Sequence, residues 1–468
     1  MKWREQFVPA EMQRVVVVAP ETRIRDVLVE VADTGVFEPD PATGHGDEQS
    51  PFRLLADRLQ IDPAQVEPRV SASAIGVDEL ESSGDQGLIV GEAELDERVR
   101  ATETVHRCAV QPGWIPRREA EALHAQIAPL GGAIAEIPVR RGLVTPTAHT
   151  EGGVSDSFRP LVTTYGTAPA RDLDPTMFAA VTYMVMFGMM FGDVAHGLAI
   201  VVLGLVARRL SSERWQSVRA VAPFLIGAGI SAMIFGLLYG EAFGPTGLVP
   251  TLWARPLDDP EQLLVAGLVL GTFLLAATFI GAVVNRWRES GPSVAIYDAS
   301  GIAGALLFAG VVALVGGVAM SVPWLRAAGW VLLAVGGVLA FVGLIVKAGP
   351  GGAGVAEAGV EMFDTLLRLG SNMVSFARLA AFGLTHAVIA EVVWDGTLAL
   401  WGRGTVLAYA AAIVLFSLGN LAAFSLGALV GAIQALRLEY YELFSRLFVD
   451  QGRPFRPWHI PTKRLETS

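Results

Sequence analysis

Arg378 stands in the middle of SNMVSFARLAAFGLTH (371–386), inside an apolar run long enough to cross a bilayer. A guanidinium stays charged at any physiological pH. At the centre of a lipid-facing helix it costs about 2.5–3.5 kcal/mol on insertion scales. Asp364, Ser371, Arg378 and Thr385 recur every seven residues. Seven residues on an α-helix return to within about 20° of the same azimuth. The spacing predicts a polar stripe down one helix face, with Asn372, Ser375 and His386 at its edges. Two chemistries fit it. One is a water-accessible ion route, the default for ionisable residues inside a membrane. The other is a structural ion pair between Arg378 and an acid on a neighbouring span.

A second arginine lies in GAIQALRLEYYELFSRLF, where Gln434 and Arg437 sit three residues apart and share a helix face. Arg437 either joins the same route or reaches the membrane surface along its aliphatic stem. Two further places are assigned structural or access roles. MFGMMFGDVAHGLAI carries Asp193, placed to cap a helix, and His196. GLLYGEAFG puts Glu241 at the outer end of a span. No Gly-rich loop ending in Lys-Ser/Thr is present, and the only lysines are Lys2, Lys347 and Lys463. HExxH, GxSxG and a strand-borne GxGxxG are absent too. The chain is expected not to hydrolyse nucleotide by itself, and no cofactor is expected.

The elements that must position these residues are mostly apolar helices. The 468 residues are 52% hydrophobic and 17% charged, with mean hydropathy +0.47. That balance points to an integral membrane protein embedded in lipid. A bilayer-spanning helix needs about 20 apolar residues. Eight candidate spans are 175–191, 193–208, 219–240, 261–285, 299–320, 323–347, 358–394 and 404–447, the first two short and the last two long enough to tilt. Even-numbered loops carry Arg208, Arg209, Arg214 and Arg219, then Arg286 and Arg288, then Lys347. The tail adds Arg446, Arg453, Arg456, Lys463 and Arg464. Odd loops carry Arg255, Arg326 and Arg403 among Asp258, Asp259 and Asp395. This positive-inside bias predicts eight spans with both termini cytoplasmic.

Residues 1–150 differ in kind. They hold 25 acidic and 15 basic side chains, a net −10 out of −11 for the chain, which disfavours nucleic-acid binding. QRVVVVAP reads as a strand, and ETRIRDVLVEVADTG as a helix ending at Gly35. Residues 38–70 read as loop. GLIVGEAELDERVRATETVHRCAVQPGWIP reads as strand, helix and strand, followed by a helix near Pro116 and a strand in GGAIAEIPV. The expected organisation is an α/β (or α+β) domain over 1–150, a linker over 151–174, and a membrane domain over 175–468 with a cytoplasmic tail. Cys108 is the lone cysteine, so neither an intramolecular disulfide nor a cysteine-based zinc site can form. MKWREQFVPAEMQRVVVVAP has no apolar core of signal-peptide length, and the N-terminus is expected to stay in the cytoplasm.

FGMMFGDVAHG, GLLYGEAFG, SFARLAAFGLTHA and ALRLEYYELFSRLFVDQGRPFRPW resemble, in this order, the membrane half of subunit a (subunit I) of V-type and A-type rotary ATPases. RVVVVAP…VLVEVADTGVF and PGWIP resemble its cytoplasmic half. The resemblance implies a stator subunit in a bacterial plasma membrane, beside a rotating ring (the c-ring) of proteolipid subunits that each carry an ion-binding carboxylate. It implies two offset ion half-channels, and contacts with peripheral-stalk and central-stalk (ring-socket) subunits. It places Arg378 against the ring carboxylate, Arg437 as the second arginine, His386 as a polar channel position, and Asp364 where many relatives have glutamate. Two departures stand out. Gly427 occupies a position where many relatives have glutamate, and only residues 38–105 separate the cytoplasmic segments that a long coiled coil often joins. The resemblance implies proton translocation, with sodium as the ionic alternative and a non-conducting scaffold as the functional one.

Overall fold

The computed structural model describes residues 9–41, 50–139, 143–148, 157–166, 169, 172–210, 215–349, 351–447 and 452–463. They fall into two compact units. One is formed by described residues between Pro9 and Ala148 together with 452–463, and the other by those between 157 and Leu447. Arg214 and Arg464 of the expected loop charges, and much of the expected linker, lie outside the described residues.

The first unit is built on β1 (Met12–Pro20), whose alternation buries Val15, Val17 and Ala19. Against that face packs α1 (Ile24–Thr34), through Ile24, Val27, Leu28 and Val31. Gly35 ends this helix with left-handed backbone at φ 60°. Next come β2 (Glu38–Pro39), α2 (Pro51–Arg58), β3 (Val70–Ser71), α3 (Val77–Ser83), α4 (Gln86–Arg100), β4 (Glu103–Val105), β5 (Cys108–Pro116), α5 (Ala120–Ile127), β6 (Ala133–Glu136) and β7 (Pro146–Thr147). The main sheet runs β2-β5-β1-β6, with β4 also on β5, and every pairing in it is antiparallel. Of the two expected alternatives, α/β and α+β, the unit is therefore α+β. Two local expectations change. The expected strand at GLIV is the first turn of α4, because Asp85 caps it by accepting from the N–H groups of Gly87 and Leu88. The expected loop over 38–70 contains α2, with Pro51 in its first turn.

The unit closes with the other end of the chain. In β8 (Arg453–Pro454) and β9 (Thr462–Lys463), residues pair in parallel with β7 and β3. The Trp458 indole donates to Glu94 at 2.8 Å, its backbone N–H donates to Phe37 O, and Ile460 is 1% exposed in the core.

The second unit is helical: α6 (Arg159–Thr163), α7 (Thr176–Met190), α8 (Val194–Arg209), α9 (Gln216–Tyr239), α10 (Pro260–Ser290), α11 (Pro292–Tyr297), α12 (Ile302–Ala319), α13 (Pro323–Ala348), α14 (Gly352–Ser375), α15 (Ala377–Trp401), α16 (Val406–Leu438) and α17 (Ser445–Leu447). Among the described residues six segments are long and apolar enough to cross a membrane: Val218–Tyr239, Pro260–Arg288, Pro292–Ala319, Pro323–Ala348, Gly352–Trp401 and Val406–Leu447. These correspond to the last six expected spans. The first two expected spans are α7 and α8, of 15 and 16 residues. At about 1.5 Å per residue each is roughly 22–24 Å long, short of a core about 30 Å thick. Small residues bring α8 onto α9: a Cβ on Gly229 would lie 2.7 Å from Gly197 O.

Two interruptions shape the site. The expected seventh span breaks at Phe376, between α14 and α15. The Phe376 ring is fully buried against Gly271 of α10, in space that a side chain there would fill. The expected eighth span ends in a π-helical turn, Glu439–Phe444. That wider turn leaves both Glu439 and Glu442 facing inward, 0% and 8% exposed.

Candidate functional site

Arg378 is the second residue of α15, two residues past the break at Phe376. Its Nη1 is buried and has no hydrogen-bond partner, and the side chain forms no ion pair among the described residues. The charges that act on it are those of Arg437 and Glu442. The acid fourteen positions earlier is not among them. Asp364 pairs with Arg368 on its own helix, at 2.7 Å. Fourteen residues amount to about 21 Å along a helix, beyond any side-chain contact. The stripe thus does not act as one cluster. Ser371 and Thr385 are exposed, and the Thr385 hydroxyl donates to Ala381 O on its own helix. His386, by contrast, is 4% exposed and turned into the protein.

The acid that does approach Arg378 is Glu442, brought there by the π turn. Ser375 at the end of α14 hydrogen-bonds to it, and Arg378, Arg446 and Arg437 contribute positive charge. With its amide oriented to suit its neighbours, Asn372 donates to Glu442 Oε2 at 3.0 Å and accepts from Arg446. The Arg446 guanidinium lies 5.0 Å from the ring centroid of Phe279. Glu439, three residues earlier, accepts from Thr182 of α7 at 2.8–2.9 Å. Gln434 keeps a buried amide oxygen without a partner, and Arg437 is exposed. Sequence reasoning singled out the arginines of LRLEYYELFSR and passed over its acids. Their presence in an apolar segment, three apart, is the signal that would have found them.

A second cluster gathers around His386. Asp193 caps α8, its Oδ1 accepting from the His196 N–H at 2.9 Å and its Oδ2 from the Gly244 N–H at 3.0 Å. His196 Nδ1 lies 3.6 Å from Asp193 Oδ2. The two imidazoles meet edge to face, 5.6 Å between centroids. Phe191 lies against both, 4.8 Å from His386 and 5.8 Å from His196. Asn420 of α16 adjoins His196. All three titratable groups are buried. The glycine at 427 has its explanation here. A Cβ at that position would lie 2.7 Å from His386 Nδ1 and 2.9 Å from the Phe191 ring. The imidazole and the phenyl ring occupy the space that a longer side chain would need.

Glu241, in the loop after α9, borders this cluster. Burial pushes its carboxyl up to about 8, Asp193 and Glu391 push the same way, and Arg255 opposes them. The structure therefore divides the predicted residues in two. Arg378 and Arg437 go with Glu442, and His386 goes with Asp193, His196 and Glu241. Asp364, Ser371 and Thr385 join neither.

Residues 99–261 match the V-type ATPase 116kDa subunit family. The chain is similar to the A-type ATP synthase subunit I of Aeropyrum pernix, 28% identical over 366 residues that cover 66% of this chain and 50% of the relative. It is also 28% identical to that of Archaeoglobus fulgidus, over 74% of this chain and 58% of the relative. With the Halobacterium salinarum subunit I it shares 23% identity over 94% of this chain and 73% of the relative. The chain spans little more than half the length of the first two. Together with the six long apolar helices, these similarities identify an integral membrane protein.

Proposed function

We propose that this chain, whose residues 99–261 match the V-type ATPase 116kDa subunit family and which is similar to A-type ATP synthase subunits I, is the ion-conducting stator subunit of an A/V-type rotary ATP synthase or ATPase. It stands beside a ring of small membrane subunits whose carboxylates carry ions past Arg378. A carboxylate entering a protein-lipid interface prefers to be protonated, and a guanidinium at close range holds it ionised. Arginine suits the task because it keeps its charge when desolvated. The observation that supports this reading is the free, buried Nη1 of Arg378, on helices with much of their length exposed. Along α16, Val406, Val414, Leu418, Leu421, Leu426 and Leu429 are all exposed.

On this reading the two clusters line two half-channels. Glu442, Asn372, Ser375 and Arg446 serve the cytoplasmic side, beside the positively charged tail. Glu241, Asp193, His196 and His386 serve the other. Eight spans with both termini cytoplasmic fit the loop charges. Residues before 149 and residues 452–463 share the α+β unit, which fits an even number of crossings between them. Its acidic surface is suited to basic regions of peripheral-stalk and central-stalk subunits.

The test is ATP-driven acidification of vesicles carrying the assembled complex, with uptake of radiolabelled sodium measured in parallel to assign the ion. Arg378→Ala is expected to abolish transport while the complex stays assembled. An assembled Arg378→Ala complex that pumps at the wild-type rate overturns the reading. The scaffold alternative predicts that wild type itself moves neither ion.

A further inference from the structure

Asp193, His196 and His386 each present one ligand atom such that all three atoms lie within 4.8 Å of one another. His196 Nδ1 and Asp193 Oδ2, 3.6 Å apart, are too far for a hydrogen bond. Their separation does match the edge of a tetrahedral zinc site, about 3.3 Å for bonds of about 2.0 Å. Neither ring nitrogen of His386 has a hydrogen-bond partner, though the residue is 4% exposed. Buried imidazole nitrogens without partners are unusual, and one of those of His386 lies within 4.8 Å of ligand atoms of Asp193 and His196. The supporting shell is in place. Two backbone N–H groups hold the Asp193 carboxylate. Phe191 fixes both imidazole planes. Asn420 of α16 stands beside His196. Such outer groups decide whether ligands are aimed well enough to bind.

We propose that Asp193, His196 and His386 form a three-ligand binding site for a divalent transition-metal cation of the Zn2+ type. Two imidazoles and one carboxylate suit zinc and its neighbours, and not Mg2+ or Ca2+, which take oxygen ligands. Three protein ligands leave a fourth tetrahedral position for water or for Asn420. Binding does not depend on the transport reading. Its consequence does: an ion held there blocks the half-channel that these residues line.

The full-length chain, purified in detergent, is titrated with Co2+, which reports tetrahedral coordination by its intense visible absorption and is then displaced by Zn2+. One equivalent is expected to bind. His386→Gln and His196→Gln are expected to weaken Co2+ by at least about 100-fold, whereas His124→Gln, in the α+β unit, leaves it unchanged. Because a glutamine variant could lose affinity by disturbing the fold, His386→Cys provides a positive signature. A thiolate at that position adds a sulfur-to-cobalt charge-transfer band, which a merely structural role would not produce. No tetrahedral spectrum in wild type, or a spectrum undiminished in His386→Gln, overturns the site. The transport consequence is read separately, as Zn2+ inhibition of acidification by the assembled complex. Binding without inhibition keeps the metal site and overturns the placement of this cluster in the ion route.

Discussion

Among the described residues no side chain forms an ion pair with Arg378, and this separates two expectations for its removal. Had it paired with Asp364, Arg378→Ala would strand a buried acid at a cost of about 3–5 kcal/mol. Asp364 is instead held by Arg368, and Glu442 retains Ser375, Asn372 and Arg446. The loss of stability is expected to stay below about 2 kcal/mol, measured by thermal unfolding, while transport falls to background. Arg378→Lys is expected to lose most transport as well, since an ammonium lacks the planar donor set and sheds its proton more readily when desolvated. Glu241 makes a pH prediction. Its carboxyl is raised from 4.5 to about 8 in the fold, so the folded state binds more protons than the unfolded state across that interval. Stability therefore falls as pH rises from about 4.5 through 8. Glu241→Gln is expected to match wild type near pH 5 and to melt higher above pH 8. Parallel melting curves at all pH values would refute this.

Elements decide which residues can meet. Heptad spacing placed Asp364, Ser371, Arg378 and Thr385 on one face, but the break at Phe376 divides that helix, and axial distance separates its ends. The π turn at Glu439–Phe444 directs Glu442 toward Ser375 and Asn372 instead. On α16, Gly427 lets His386 and Phe191 approach the backbone. Gly427→Ala is expected to cost about 1–3 kcal/mol through overpacking. Combining it with His386→Ala, which empties the space, is expected to recover part of that loss. Strict additivity of the two changes in unfolding measurements would contradict the packing account.

At the scale of the whole molecule, residues 452–463 complete the α+β unit. Trp458→Ala removes a core side chain together with its hydrogen bond to Glu94. It is expected to destabilise that unit by about 3–5 kcal/mol, seen as faster proteolysis within residues 50–139. An unchanged proteolysis rate would mean that the tail contributes little. Joining both ends in one unit also makes a topological prediction. After Cys108 is replaced, single cysteines introduced within 209–218 and within the tail are expected to label from the same side of the membrane. Labelling from opposite sides would rule out the eight-span arrangement.

Membrane character, the last six spans, the first strand and helix, and the family resemblance were all legible in the residues, because long apolar runs, β-branched alternation and ordered motifs are local properties of the chain. Arg378 announced itself in the same way, as a charge in an apolar run. Its partners did not. That the charge of Glu442 and not of Asp364 acts on Arg378 depends on a helix break set by Phe376 seating on Gly271, and on a π turn that re-aims two acids. The convergence of Asp193, His196 and His386, from two helices nearly 200 positions apart, depends on small residues that let α8 and α9 close together and on a glycine at 427. The antiparallel order of the sheet, and the return of the tail to complete its core, follow from pairings between distant segments. Spacing along a chain reports which face a residue shares with its neighbours; which other segment meets that face is decided only when the helices and strands pack.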